Sequence, residues 1–114
     1  MVKIADIVQN LPAHLVVGID GYRELRISHV IAGDLMSDIL VSIESEALLV
    51  TSLATEQTIR SADIVGAPAV LLVNDKLPTH AMKALAQTCG ITLLATPLPM
   101  FESCVALYHI TQGL

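Results

Sequence analysis

Three short runs from residue 48 onward, Leu48-Leu49-Val50, Val70-Leu71-Leu72-Val73 and Thr92-Leu93-Leu94, are apolar almost without interruption. A strand with one wet face alternates apolar with polar residues. An unbroken apolar run of strand length therefore needs cover on both faces. Each run is followed by a stretch of helical periodicity that stops at a glycine: Glu56–Val65 before Gly66, Thr79–Thr88 before Gly90, and Met100–Thr111 before Gly113. Glycine there is the usual left-handed helix stop. Strands over Ala47–Thr51, Ala69–Val73 and Ile91–Ala95, joined by such helices, must run parallel, because a crossover helix returns the chain to the same end of the sheet. The expected fold is an α/β domain of three layers: a small, mostly parallel sheet with helical crossovers.

The first half is less regular. Ile4, Ile7, Val8 and Leu11 fall at helical spacing within Lys3–Leu11, and Pro12 ends the run. His14–Gly18 is a brief apolar run, Asp20-Gly21 a turn, and Leu25–Ala32 an extended segment carrying Ile27, Val30 and Ile31. Gly33-Asp34 then breaks the chain direction. Asp34 is expected to N-cap a helix reaching Leu40 or Val41, with Gly33 supplying a positive φ or a close backbone approach. No linker or low-complexity segment intervenes, so residues 1–114 are read as one domain. The spacing of Gly66, Gly90 and Gly113 is that of a strand–helix unit and implies no repeat.

Composition points outward from this core. Of 114 residues 54% are hydrophobic and only 15% charged, where about 25% charged is ordinary. A domain this small cannot internalise that much apolar surface. Met100, Phe101, Val105, Ala106, Leu107, Tyr108 and Ile110 nearly encircle the last helix, and a helix apolar on most sides is buried on most sides. A homo-oligomer is expected, a twofold dimer being the commonest form. The aromatics are Tyr22, Phe101 and Tyr108 alone, and 6 basic residues are scattered through a chain of net charge −5, which argues against nucleic acid as a partner. No apolar run reaches membrane-spanning length; Ala67–Val73 contains Pro68 and ends at Asn74-Asp75. The first residues lack the apolar block of a signal peptide, and Cys89 and Cys104 then read as reduced thiols of a cytoplasmic protein.

In an open parallel sheet, ligands bind beyond the carboxyl ends of the strands. Thr51, Ser52 and Thr55 after the first regular strand, Asn74 after the next and Thr96 after the last share that rim. With Asp34 and Ser37 they form the candidate ligand-binding set; helix capping and turn chemistry are the competing reading of each. The turn Ser52-Leu53-Ala54-Thr55-Glu56 has no glycine to bring backbone amides onto a phosphate, and neither a Rossmann fingerprint nor a P-loop is present. Asp34 and Asp38 lie four apart and read as a solvated edge before a cation site. The four histidines show no metal spacing, no cofactor motif is found, and no nucleophile–base pair assembles.

Gly33-Asp34-Leu35-Met36-Ser37-Asp38, Leu49-Val50-Thr51, Pro78 followed by Ala86, and Ile91-Thr92-Leu93-Leu94-Ala95-Thr96 with Phe101-Glu102 together resemble the DRTGG domain. That family is akin to the N-terminal domain of HPr kinase/phosphorylase, and occurs within some phosphotransacetylases and CBS-containing pyrophosphatases. The resemblance covers residues 1–112. It places the family's Asp-Arg pair at Ala54-Thr55 and its Thr-Gly-Gly at Val73-Asn74-Asp75, while the Gly-Asp-Leu-x-Ser segment is kept. It implies a non-catalytic regulatory and self-associating module, commonly dimeric, sensing a small ligand such as a nucleotide. The alternative is a protein-interaction subunit that docks on a metabolic enzyme or kinase.

Overall fold

The computed structural model describes residues 2–41 and 45–112. The parallel core is built in sequence order. Strands β4 (His29–Ala32), β5 (Ala47–Thr51), β6 (Ala69–Leu72) and β7 (Thr92–Ala95) lie side by side, all parallel. Strand β2 (His14–Val17) closes the sheet beside β7, antiparallel to it, with one extra residue between Leu15 and Val17. The five-stranded order is thus β2-β7-β6-β5-β4. A second pairing, β1 (Val2–Lys3) with β3 (Arg26–Ile27), is antiparallel and only two residues long.

Alternate residues of the central strands face two separate apolar layers, which is why their sequences never alternate with polar residues. Leu49, Val70, Leu72 and Leu93 pack against α2 (Met36–Ile39), α3 (Glu56–Val65) and α4 (His80–Cys89). Leu48, Val50, Leu71 and Leu94 pack against α1 (Ile4–Asn10) and α5 (Met100–Gln112). The three-layer α/β expectation is met.

Local chemistry sets the helix limits. Thr79 accepts from the Met82 amide at 3.1 Å and opens α4, and Gly66 and Gly90 close α3 and α4 in the left-handed region at φ 80° and 70°. No Cβ would meet anything at either glycine, so the requirement there is backbone conformation alone. Gly113, the expected stop of α5, lies outside the described residues.

The first half departs from expectation in three places. The extended segment Leu25–Ala32 is two strands, β3 and β4, that belong to different sheets. Helix α2 has four residues and does not start from Asp34: its N-cap is Leu35, with no side-chain cap. Gly33 does not have positive φ, and a Cβ there would make an ordinary contact with Ile39 at 3.8 Å. Its amide instead continues the β5 ladder, donating to the Val50 carbonyl at 2.9 Å.

Candidate functional site

The parallel strands deliver their carboxyl ends to one rim, in register rows through Ala32, Val50 and Leu71 and through Thr51, Leu72 and Ala95. Asp34, freed from capping α2, reaches across to the end of β5. Its Oδ1 accepts from the Thr51 hydroxyl at 2.9 Å and the Ser52 amide at 2.7 Å, and its Oδ2 accepts from the Ser52 hydroxyl at 2.6 Å. Burial alone would raise the Asp34 pKa, but these three donors and the nearby charge of Lys76 outweigh it and hold the carboxyl below its ordinary value. The result is a charged latch tying the loop after β4 to the loop after β5.

Thr51 does a second task. Its Oγ1 accepts from the Leu53 amide at 3.3 Å, and Thr58 of α3 donates to the Leu53 carbonyl at 2.7 Å. The same turn recurs after β7, where Thr96 Oγ1 accepts from the Leu98 amide at 3.3 Å and Ser103 of α5 donates to the Leu98 carbonyl at 3.4 Å. Thr51-x-Leu53 with Thr58 and Thr96-x-Leu98 with Ser103 share one spacing and one hydrogen-bond plan. The two turns differ in what the leading threonine holds. Thr51 donates to the Asp34 carboxylate, and Thr96 donates to the Pro12 carbonyl at 2.7 Å.

Between these turns runs the loop after β6. The Asn74 amide donates to the Leu98 carbonyl at 2.8 Å and the Asp75 amide to the Thr96 carbonyl at 3.1 Å, while the Val73 amide donates to the Thr51 carbonyl at 3.0 Å. Asn74 and Asp75 are both left-handed, φ 64° and 57°. These are the positions at which the sequence resemblance sets two glycines, so the backbone bend is kept with the two side chains that tolerate it best.

The candidate set therefore divides. Asp34, Thr51 and Ser52 are bonded to one another, and Lys76, which the sequence reading did not single out, lies in electrostatic reach of Asp34. Asn74 sits on the neighbouring loop, exposed. Thr55 is the extended residue ahead of α3, exposed and without a side-chain cap bond, and Ser37 is exposed on α2. Thr96 is at the same rim, but one residue of register turns its side chain to the α1–α5 layer, so it does not converge with Thr51. Strand order governs whether the carboxyl ends of such a sheet open into a crevice. Such a crevice opens where successive crossovers switch to opposite sides of the sheet, and here α2, α3 and α4 all pack on one face.

Cavities lie on the other face, beside α5. One of about 340 Å³ runs between α5 and the edge strand β4, over Val30 and Ala32 and under Cys104, Leu107, Tyr108 and Thr111. Burial pushes the Cys104 thiol up from its ordinary pKa, so it stays protonated. Among the described residues no group of three or more His, Cys, Asp or Glu side chains comes together to hold a metal ion. No helix among them is long and apolar enough to cross a membrane.

A mostly parallel α/β sheet with a serine- and threonine-lined rim defines the class. Within it, the chain is similar to the CBS and DRTGG domains of the regulatory region of a pyrophosphatase from Clostridium perfringens, solved with its activator, diadenosine tetraphosphate. The TM-score is 0.78 and sequence identity 16%, over 98% of this chain and 47% of the other, so the chain spans about half of that structure. The DRTGG resemblance read from the sequence is borne out as a likeness of fold. No protein-family model matches the chain, and no curated protein does.

Proposed function

We propose that residues 1–114 form one DRTGG-like regulatory module of the cytoplasm, which self-associates and binds a nucleotide at the rim around Asp34, Ser37, Thr51, Ser52, Thr55 and Asn74, without a catalytic step of its own. The observation that carries this reading is the fold shared with a regulatory region whose activator is a dinucleotide. In the residues themselves, Ser52, Thr55 and Asn74 offer hydroxyl and amide groups to a ribose or base, and Lys76 brings a positive charge within electrostatic reach of the latch. Thr96 supports the rim from the opposite layer through Pro12. The test is calorimetry and thermal shift against adenosine mono-, di- and triphosphates and diadenosine polyphosphates. A ligand at a hundred times its Kd raises stability by about 2.7 kcal/mol. Lys76→Ala should weaken binding with little change in the unliganded melt. No shift with any nucleotide would overturn the nucleotide reading.

The second reading, an interaction subunit for a metabolic enzyme or kinase, is favoured by apolar side chains left in water beside the same rim, Leu77 at 85% exposure foremost. Leu77→Ser then abolishes partner capture while leaving nucleotide binding unchanged.

A further inference from the structure

Helix α5 has a second apolar face that the fold leaves uncovered. Ser103 and Leu107 are buried toward the sheet. On the far side Phe101, Val105, Tyr108 and Gln112 follow at intervals of four, three and four, a single narrow stripe on a 3.6-residue helix. Phe101, Val105 and Tyr108 are 75%, 40% and 61% exposed. Resting on the self-association reading, we infer that this stripe is the seat of a second copy of the chain, with the two α5 helices packed antiparallel about a twofold axis near Val105.

The pattern itself selects that occupant and that direction. In an isologous contact the same patch must complement itself. Turned end for end about Val105, the stripe sets Val105 against Val105 and brings Phe101 of one copy within one residue of alignment with Tyr108 of the other. Glu102 and His109 flank the stripe on one side, seven residues apart. The antiparallel arrangement keeps this flank on the same side in both copies and brings Glu102 within one residue of alignment with His109 of the second copy, where a parallel twofold pair would turn the flank to opposite sides and hold the two apart. Two aromatic contacts and two carboxylate–imidazole pairs thus fall within one residue of a single register.

The neighbouring cavity fits the same arrangement. The space of about 340 Å³ between α5 and β4 opens beside Tyr108, Thr111 and Gln112, at the end of the stripe away from Phe101. Each Phe101 ring therefore lies at the mouth of the other copy's cavity. Val30 and Ala32 on its floor widen the contact beyond the helix pair, toward the roughly 800 Å² per partner of a stable interface.

Light scattering coupled to size exclusion should give twice the 12.1 kDa of the chain. Val105→Glu should give a monomer with an unchanged far-ultraviolet spectrum. In a Cys89→Ser, Cys104→Ser background, mixing Phe101→Cys with Tyr108→Cys and oxidising should yield the mixed disulfide, with little from either variant alone. A monomeric native chain overturns both self-association and this interface. A dimer that survives Val105→Glu overturns the interface and leaves self-association standing. Efficient cross-linking of Phe101→Cys with itself overturns the antiparallel register, and should Val105→Glu fail to fold, the cysteine arm decides alone.

Discussion

Asp34 holds the rim together by three accepted hydrogen bonds rather than by capping the helix that follows it. Asp34→Ala leaves the Thr51 hydroxyl and the Ser52 amide and hydroxyl without that partner, and should cost about 1–2 kcal/mol, at the lower end because the carboxylate is exposed and solvent-screened. The difference depends on pH in a fixed direction. The folded carboxyl has a lowered pKa, so its contribution is complete above the unfolded value near 3.9 and is lost as pH falls through the folded value. Melts of native and variant chains between pH 7 and 2 should converge in acid; a gap that persists there would show the loss to be steric. Thr92 predicts the opposite sign. Its Oγ1 is buried and has no hydrogen-bond partner among the described residues, so Thr92→Val keeps the shape, removes an unsatisfied hydroxyl and should stabilise by about 1 kcal/mol. A lower melting temperature for that variant would reveal a partner or bound water at the hydroxyl. The sequence presented Asp34 as a cap because an aspartate just before a helix usually is one. The competing contact lies 17 residues away, and a single sequence carries no local trace of it.

The paired turns after β5 and β7 predict unequal consequences from equivalent substitutions. The Leu53 carbonyl receives Thr58 at 2.7 Å. The Leu98 carbonyl receives Ser103 at 3.4 Å and also the Asn74 amide at 2.8 Å. Thr58→Val should therefore cost about 1 kcal/mol, and Ser103→Ala, whose carbonyl keeps its shorter partner, less than about 0.5 kcal/mol. Chemical denaturation of both reads the order; a larger loss at Ser103 would contradict the equivalence of the turns. Elements of this second half were legible because apolar runs and glycine stops mark them independently of tertiary contacts. The β1–β3 pair was not, since two residues on each side carry no period to detect. The short α2 was over-read for a related reason: residues Leu35–Val41 have the composition of a longer helix, but only four of them are helical.

For the whole molecule, class and layer structure followed from the apolar strands, but the use of the rim did not. Whether Thr51 and Thr96 face each other depends on the parity of strand register, and one residue of register puts them on opposite layers. The strand order was equally hidden, because the apolar runs state that strands are covered and not which neighbours cover them. Nucleotide binding and pairing through α5 would be separable in this arrangement. The proposed nucleotide site is at the rim and the proposed pairing helix lies on the layer opposite α2, α3 and α4, so Val105→Glu should leave the nucleotide-induced rise in melting temperature intact. Loss of that rise in the monomer would mean the site is shared between copies.

The place of β2 has a consequence for the order in which the chain can assemble. Strands β5, β6 and β7 each join a neighbour made shortly before, whereas His14 waits for Ala95 and the Pro12 carbonyl for the Thr96 hydroxyl, a separation of 84 residues in the latter case. Closing so long a loop is an entropic cost met only when most of the sheet already exists. During synthesis β2 leaves the ribosome ahead of β4 to β7 yet is seated only after β7, and until then the outer edge of β7 stands open. The chain is most exposed to wrong pairing in the interval between the emergence of β7 and the docking of β2.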